Sequence, residues 1–312
     1  MGLAEDVLRG DRLALARWLT WLEEEDPRGD PVLAELFPRT GRAHRLGVTG
    51  PPGSGKSTLV NQAAAWCRKQ TSERVAVLAV DPSSPFSGGA ILGDRIRMRD
   101  LAGDPGVFIR SMASRGALGG LSRRTAELVE ALDAAGYERV FIETVGAGQA
   151  EVDIARMADT TIVVEAPGMG DDIQALKAGI LEIADVLVVN KADLPNAAAT
   201  ERALRASLEL VAGRPGSWTP PVVSTVAESG RGIDTLMEAV DRHRDWLRQS
   251  GEGEARRRAR AASRLDSELR HALIERFRRG LSDGRYEDAL AAVQERRRTP
   301  AQAADELIRE RG

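Results

Sequence analysis

An apolar segment that runs into a glycine-rich turn and then into a predicted helix is the feature that most constrains this chain. The segment is 46–48, and the helix begins near Lys56. Glycine allows the backbone angles that turn several N–H groups inward, and the start of the helix adds the positive end of its dipole. The pattern predicts a strand–turn–helix unit that holds a polyphosphate. The predicted phosphate-binding residues are Gly50, Pro51, Pro52, Gly53, Ser54, Gly55, Lys56, Ser57 and Thr58.

The turn matches the spacing G-x-x-x-x-G-K-[ST], in which two side chains have defined chemical roles. Lys56 is expected to reach the β- and γ-phosphates, and the Ser57 hydroxyl is expected to ligate Mg²⁺. A glycine-rich turn without a ligand is the alternative. Composition favours phosphate binding, because only four of the 44 basic residues are lysines and one of them stands where a compact ammonium is needed.

Composition and charge set limits on the class of protein. A chain of 312 residues with 42% hydrophobic residues can form one large or two modest globular domains. A net charge of −3 gives no reason to expect a nucleic-acid or membrane partner. The single cysteine, Cys67, excludes an internal disulfide and a thiolate-rich metal site. The N-terminus does not resemble a signal peptide, and a cytoplasmic location is expected.

Helical and strand patterns divide the chain into three predicted parts. Residues 1–44 are predicted to form a helical N-terminal extension, because apolar residues recur at helical spacing. Short apolar segments alternate with helical stretches over 45–248, which predicts an α/β fold with a mainly parallel sheet flanked by helices, as in P-loop NTPases. Residues 249–312 are predicted to form a charged helical arm. The predicted strands after the first are 75–80, 106–110, 139–143, 161–165, 186–190 and 222–226.

A second motif, 190–193, directly follows a predicted strand and matches N-K-x-D. Its aspartate, Asp193, can accept hydrogen bonds from the N1–H and the exocyclic amine of guanine, an edge that adenine does not present. The motif therefore predicts GTP and GDP as ligands; a polar turn is the alternative. The backbone of 226–228 is expected to approach the guanine oxygen. The predicted base-binding residues are Asn190, Lys191, Asp193, Val226, Ala227 and Glu228.

Three acidic residues are predicted near the phosphates. Asp81, Asp94 and Glu143 are grouped as acidic residues at strand ends, with Asp81 directly after the predicted strand 75–80 and Glu143 at the end of 139–143. Mg²⁺ bound to nucleotide phosphates takes few protein ligands and keeps waters, so these carboxylates are expected to act directly or through water. Ordinary capping or turn carboxylates are the alternative.

Taken together, the segments 50–58, 80–85, 143–149 and 190–193 resemble the methylmalonyl-CoA mutase-associated GTPases. These are P-loop GTPase chaperones of adenosylcobalamin-dependent mutases. Glu143 replaces the usual aspartate of D-x-x-G, which marks the metallochaperone-like branch that contains this family. Val226 departs from the family pattern, which often has serine there, but that contact is mainly made by the backbone. The resemblance covers about 40 to 245.

The resemblance implies three switch segments, at about 83–100, 146–153 and 167–177. Asp94 would lie near magnesium and the reacting phosphate, and both Asp94 and Gln149 are candidates for orienting the attacking water. The third segment would signal to the mutase, although Lys177 is equally explained as a solvated surface residue. Its predicted signalling residues are Gly170, Asp171, Asp172, Gln174 and Lys177.

The last part of the chain carries a regular apolar stripe. Leu265, Leu269, Leu273 and Phe277 recur every four residues on a predicted helix, and the family resemblance implies that this arm forms a homodimer. The arginines within 256–260 are interpreted as a solvated face and not as a nucleic-acid site, because 251–312 holds 12 acidic residues against 15 arginines and no aromatic residue is interleaved with this cluster.

The expected function is slow GTP hydrolysis that times a conformational exchange with an acyl-CoA mutase. Lys56, Mg²⁺ and backbone N–H groups would stabilise the charge that develops on the γ-phosphate. Two alternatives remain open. A small-molecule kinase would use the same phosphate loop but prefer ATP, and a nucleotide-gated scaffold would bind GTP with negligible turnover.

Overall fold

The computed structural model describes residues 2–82, 101, 103–114, 120–144, 150–168, 178–210, 216–281 and 284–309. The chain divides into two compact units, Met1–Arg260 and Ala261–Gly312. The predicted boundaries of the three parts, at 44/45 and 248/249, stay a prediction. Within the first unit the N-terminal helices and the sheet share one apolar core.

A seven-stranded parallel sheet forms the centre of the first unit, which confirms the predicted α/β fold. The strand order is β3-β2-β4-β1-β5-β6-β7, and every neighbouring pair is parallel. The strands are β1 His44–Thr49, β2 Val75–Pro82, β3 Val107–Ser114, β4 Arg139–Thr144, β5 Thr160–Glu165, β6 Val186–Val189 and β7 Val222–Ser224. The inner strands are buried along their length, which explains their nearly continuous apolar sequences.

Helices cover both faces of the sheet. The described helices of the first unit are α1 Leu3–Leu8, α2 Arg12–Glu23, α3 Gly29–Leu36, α4 Lys56–Gln70, α5 Gly120–Ala134, α6 Ala150–Met157, α7 Ala178–Ile183, α8 Ala197–Leu210 and α9 Ile233–Ser250, with a 3₁₀ turn at Phe37–Arg39. Helices α4 and α9 pack on one face, against Leu46 and Val188 among others. Helix α5 packs on the opposite face, against Leu78 and Ile142.

The N-terminal helices pack onto α5 and extend this layer of the fold. Trp18 of α2 is fully buried, and its Nε1 donates to the Gly29 carbonyl oxygen over 3.2 Å. Because an indole N–H without a partner would be costly in the core, this bond fixes α2 against the start of α3. The helices predicted within 1–44 are therefore present, and they contribute to the core of the first unit.

The loop that leads into β1 is held by one carboxylate. Asp133, at the end of α5, accepts hydrogen bonds from the backbone N–H groups of Gly41, Arg42 and Ala43 over 2.7, 3.1 and 3.0 Å. Its side chain is completely buried. This contact places the start of the strand that carries the phosphate loop.

Within the described residues of the second unit, three helical segments are present. Helix α10, Glu252–Arg279, begins in the first unit and continues into the second, which also contains α11, Arg285–Gln294, and α12, Pro300–Arg309. The predicted C-terminal helices are thus confirmed. Among the described residues, no helix combines the length and the apolar character that a membrane span requires.

The arginines at the start of α10 correct one interpretation of the sequence. Arg257 and Arg258 are exposed, as a solvated face requires. Arg256 and Arg260 instead pair with Asp185 and Asp159. Four-residue spacing places these two side chains on one side of the helix, and that side faces the sheet.

Candidate functional site

The predicted phosphate- and base-binding motifs lie where parallel strands end. Strand β1 lies between β4 and β5 and ends at Thr49, directly before the glycine-rich loop. Strand β6 ends directly before Asn190, and β4 ends next to Glu143. Ligands of open parallel sheets bind beyond the carboxyl ends of the strands, so the motifs meet at the edge where such a ligand would lie.

The phosphate loop depends on glycine at two positions. Gly50 and Gly55 adopt φ angles of 140° and 89°, which side chains rarely allow. A Cβ at Gly50 would lie 2.1 Å from the Val164 carbonyl oxygen, and one at Gly55 would lie 2.4 Å from Asn190 Nδ2. The loop therefore passes close to β5 and to the base motif, and α4 begins directly after it at Lys56.

Lys56 places its ammonium group within this loop. The residue is only 5% exposed, and its Nζ donates to the carbonyl oxygens of Gly50 and Pro51 over 2.8 and 2.9 Å. A cation held at the start of α4 adds to the positive end of the helix dipole. The arrangement favours a bound anion with several negative oxygens, such as a di- or triphosphate.

Ser57 and Glu143 bring two oxygen ligands together. Ser57 Oγ donates to Glu143 Oε1 over 2.5 Å, and Glu143 is buried at the end of β4. Hydroxyl and carboxylate oxygens are the ligands that Mg²⁺ prefers, and a nucleotide supplies further oxygens. The pair therefore fits a magnesium ion that is shared with phosphates. Within the described part of the chain, no group of three or more His, Cys, Asp or Glu residues could hold a metal ion by itself.

Several predicted residues cannot be placed relative to this pair. Asp81 lies in β2, where its backbone pairs with Ala113 of β3, but its side chain is outside the described part of the structure. The other predicted residues that lie outside the described residues are Asp94, Gln149, Gly170, Asp171, Asp172, Gln174 and Lys177.

Asn190 joins the base motif to the phosphate loop. Its side chain is almost completely buried and donates from Nδ2 to the Ser54 carbonyl oxygen over 2.8 Å. Its Oδ1 accepts from Thr225 Oγ1 and from the Ala227 backbone N–H, each over 3.0 Å. One side-chain amide therefore joins the base motif to the phosphate loop and to 225–227, which are far apart in sequence.

The other two motif residues lie nearer to solvent. Lys191 adopts a left-handed φ of 56°, and its Nζ donates to the Gly53 carbonyl oxygen over 2.8 Å. Its side chain thus reaches across to the phosphate loop. Asp193 is exposed, so a ligand at this edge can reach its carboxylate. This geometry is suited to a base whose edge carries two hydrogen-bond donors.

The segment after β7 is shaped by its own backbone contacts. The Val226 N–H donates to the Arg231 carbonyl oxygen over 2.9 Å, and a Cβ at Gly232 would lie 2.4 Å from the Ser224 carbonyl oxygen. The N–H groups of Val226 and Ala227 are therefore already bonded within the protein. A guanine oxygen would have to share or displace those bonds, and the next residue, Glu228, is exposed.

Two contributors to the site were not predicted from the sequence. Thr225 donates its hydroxyl to Asn190, and Thr144 Oγ1 lies 3.3 Å from Thr49 Oγ1 between the ends of β4 and β1. Thr225 and Thr144 are both fully buried. Their position at or just after the end of a predicted strand is the only signal that could have indicated them, and it does not reveal which residue each one contacts.

Comparison with known proteins gives consistent matches across most of the chain. Residues 15–282 match the family model described as methylmalonyl Co-A mutase-associated GTPase MeaB. A protein of Pyrococcus abyssi named as a GTPase is 43% identical over 310 residues, covering 99% of this chain and 95% of the relative. A Mus musculus protein named methylmalonic aciduria type A homolog, mitochondrial, is 32% identical over 289 residues, covering 87% and 69%. A crystal structure described as a LAO/AO transport system kinase matches with a TM-score of 0.73 at 30% identity, covering 98% and 95%.

Proposed function

This chain belongs to the MeaB family of methylmalonyl-CoA mutase-associated GTPases, and we propose that its GTP hydrolysis gates the loading of adenosylcobalamin onto an acyl-CoA mutase and protects or reactivates that enzyme. The observation that carries the nucleotide part is the Asn190 side chain, which joins the base motif to the phosphate loop. The mutase part is supported by the description of the family and by the name of the mouse relative.

The described residues suit the hydrolysis of a nucleoside triphosphate. Lys56 and the N–H groups at the start of α4 would stabilise the charge that develops as water attacks the γ-phosphate. Ser57 and Glu143 would hold Mg²⁺, which would neutralise charge on the β- and γ-phosphate oxygens. The Ser57 hydroxyl could keep donating its proton to Glu143 in that arrangement, because its oxygen lone pairs are the part that would face the ion.

The residue that orients the attacking water is proposed from the sequence. Asp94 and Gln149 are the candidates, and Asp81 is a further candidate for the metal surroundings. The third switch is proposed at Gly170–Asp172, Gln174 and Lys177, where it would report the nucleotide state to the mutase.

Turnover and partner binding test the proposal together. Phosphate release from GTP is measured with the protein alone and with methylmalonyl-, isobutyryl- or hydroxyisobutyryl-CoA mutase. The mutase is captured in the presence of a non-hydrolysable GTP analogue. We expect slow release alone, faster release with the partner, and capture that depends on the analogue. The base motif is tested in parallel with Asn190→Ala, which should abolish capture. A folded protein that turns over GTP but binds and responds to none of the mutases contradicts the mutase role.

The third switch has its own test. Lys177→Ala should leave GTP affinity unchanged and reduce the stimulation of hydrolysis by the mutase. Lys69→Ala, which changes another of the four lysines, is the matched control and should preserve stimulation. Full stimulation of the Lys177 variant would remove this residue from the proposed switch.

The kinase alternative has one supporting observation, since one of the solved structures that resemble this chain is described as a kinase. A preference for ATP together with phosphate transfer to a metabolite would favour it. GTP binding with no turnover, alone or with the mutase, would favour the scaffold.

A further inference from the structure

Two aspartates lie at the end of the sheet opposite the nucleotide site, Asp185 directly before β6 and Asp159 directly before β5 and next to the start of β1. Asp185 is buried. Arg256 of α10 contacts it with both terminal nitrogens, Nη1 to Oδ2 and Nη2 to Oδ1, each over 3.0 Å. Such a two-pronged contact fixes the orientation of both groups and not only their distance.

The Asp185 carboxylate has further partners, which leaves it little freedom. The Thr161 backbone N–H donates to Oδ2 over 2.8 Å, and His243 Nε2 lies 3.2 Å from Oδ1. His243 Nδ1 in turn lies 2.8 Å from Thr160 Oγ1. The start of β6 is thereby tied to the start of β5 and to α9, with Arg256 closing the arrangement from α10.

The second aspartate ties α10 to β1. Asp159 pairs with Arg260, and its Oδ2 accepts from the Arg45 backbone N–H over 2.9 Å. Arg260 Nη1 also donates to the Ala158 carbonyl oxygen over 2.8 Å, and Arg256 Nη1 donates to the Asp159 carbonyl oxygen over 3.2 Å. The two arginines therefore bind one contiguous group of backbone and carboxylate atoms.

The opposite ends of the same strands form the nucleotide site. Strand β1 leads from Arg45 to Gly50, the first glycine of the phosphate loop, and β6 leads from Asp185 to Asn190. We propose that Arg256 and Arg260 are positioning residues of the nucleotide site, Arg256 for the base motif through Asp185 and β6, and Arg260 for the phosphate loop through Asp159 and β1. The proposal rests on nucleotide binding alone and is independent of the mutase role.

Packing supplies the reason that a change at one end reaches the other. Strand β6 has only four residues, and all of them are buried between β5 and β7. A displacement at one end of so short a strand is therefore passed to the other end. At the far end Asn190 makes three hydrogen bonds of defined length, and Gly50 lies against the Val164 carbonyl oxygen without space for a Cβ. Close-packed interiors transmit small shifts of this kind.

The same helix offers a matched control. Arg257 and Arg258 lie between the two proposed residues and are exposed. Replacing both by glutamine removes two positive charges from α10, one more than either test substitution, without removing a contact to Asp185 or Asp159.

The experiment separates the two paths by comparing GDP with inosine diphosphate, which lacks the exocyclic amine. Arg256→Gln, Arg260→Gln and the control Arg257→Gln/Arg258→Gln are prepared in the full chain, and dissociation constants are measured at a temperature where circular dichroism shows each variant folded. Losing one well-placed hydrogen bond weakens binding by about tenfold, which sets the expected scale.

The two variants should give different patterns. Arg256→Gln should weaken GDP binding more than inosine diphosphate binding, because it displaces the base motif. Arg260→Gln should weaken both equally, because the phosphate loop serves both, and the control should change neither. Unchanged affinities, or the same pattern for both variants, would overturn the proposal.

A second measurement guards against loss of folding. If Arg256→Gln does not fold, Arg256→Lys replaces it with the same expectation, since lysine keeps the charge but not the two-pronged contact. Hydrogen exchange of 186–193 should rise in the folded variant of Arg256. A rise confined to 252–260 would instead mean that the arginine holds only its own helix, and this result too would overturn the proposal.

Discussion

At Gly50 the chain leaves β1 with a φ of 140°, and the backbone passes so close to Val164 that no side chain fits. The same residue supplies one of the two carbonyl oxygens that hold the Lys56 ammonium. The backbone conformation, the close approach to Val164 and the position of the Lys56 ammonium thus all depend on one glycine. A side chain at this position would meet the backbone of β5 and would disturb the loop that holds Lys56.

Gly50→Ala tests this dependence. The new Cβ would lie 2.1 Å from a backbone oxygen, so the loop must move and carry the Lys56 contact with it. We expect GDP binding to weaken by more than about 100-fold, in line with the cost of misplacing groups that act through position. Isothermal titration calorimetry measures the affinity. Gly103→Ala, where a Cβ meets nothing within 4 Å, should bind normally, and retained affinity of Gly50→Ala would contradict the assignment.

Residue patterns predicted the phosphate loop because its chemistry is local. The spacing of Gly50, Gly55, Lys56 and Ser57 is fixed by the covalent chain, and a sequence shows it directly. The bond from Asn190 to Ser54 joins residues 136 positions apart, and no local pattern encodes it. For the same reason the sequence indicated the guanine motif but not the Thr225 hydroxyl that orients it.

At the scale of single elements, helix α5 does more than cover the sheet. Its last turn carries Asp133, whose buried carboxylate binds three consecutive backbone N–H groups of the loop before β1. A loop of this kind has no strand partner for those donors. The carboxylate replaces the partner and so fixes where the central strand begins.

Asp133→Ala should destabilise the first unit substantially. It leaves three backbone donors without their acceptor, and each unsatisfied donor that stays buried costs about 1–3 kcal/mol. We expect a loss of about 3–5 kcal/mol in the free energy of unfolding, measured by urea denaturation. Asp245→Ala, at an exposed ion pair on α9, is the control and should cost less than about 1 kcal/mol. A similar loss of stability for both substitutions would contradict the stabilising role assigned to the three Asp133 hydrogen bonds.

Helix α9 introduces a pH dependence through His243. Burial lowers the pKa of His243 from 6.5 to about 4, against the opposing effect of the Asp185 charge. Burial and the charge of Arg139 also hold the pKa of His44 well below its usual value. Below pH 6.5 the unfolded chain therefore binds protons that the folded chain does not. Stability should fall as the pH drops from 6.5 towards 4, by up to about 3 kcal/mol from His243 alone.

The variant His243→Gln isolates this contribution. Urea unfolding curves across the same pH range should show a smaller loss of stability than in the unsubstituted protein, because glutamine does not titrate. His271→Asn, at an exposed position of α10, should preserve the full pH dependence. An unchanged slope for His243→Gln would mean that other groups cause the acid sensitivity.

The helices and strands could be predicted from the sequence where buried residues follow a regular pattern along the chain. Parallel strands covered on both faces are continuously apolar, and this signal gave all seven strands to within a few residues at their ends. The arginines of α10 show what such a pattern cannot predict. Arg256 and Arg257 are chemically identical, and only the position of Asp185 in the folded chain makes one of them an ion-pair partner.

For the whole molecule, the distribution of charge separates two edges of the sheet. The carboxyl ends of the strands carry the phosphate loop, in which the Lys56 ammonium can attract an anion. The other edge carries Asp159 and Asp185, each neutralised by an arginine of α10. Arginine suits this second task, because its planar fork matches a carboxylate. Two of the four lysines of the chain, Lys56 and Lys191, contact the phosphate loop.

The second unit leaves an apolar stripe open to solvent within a single chain. Leu265, Leu269 and Leu273 are 68%, 53% and 57% exposed, and they recur every four residues along α10. Such a stripe is costly in water and is typical of a helix that packs against another copy. We expect the protein to be a homodimer in which these leucines are buried.

Leu269→Glu/Leu273→Glu tests the dimer. Each carboxylate would have to lose its hydration in the interface, which costs several kcal/mol and should raise the dissociation constant of the dimer by more than about 100-fold. Sedimentation equilibrium should show a dimer for the unsubstituted protein and a monomer for the variant. Leu13→Glu, at a leucine of α2 that is 78% exposed, is the matched control and should remain dimeric. A monomeric unsubstituted protein, or a variant that stays dimeric, would mean that the stripe serves another partner.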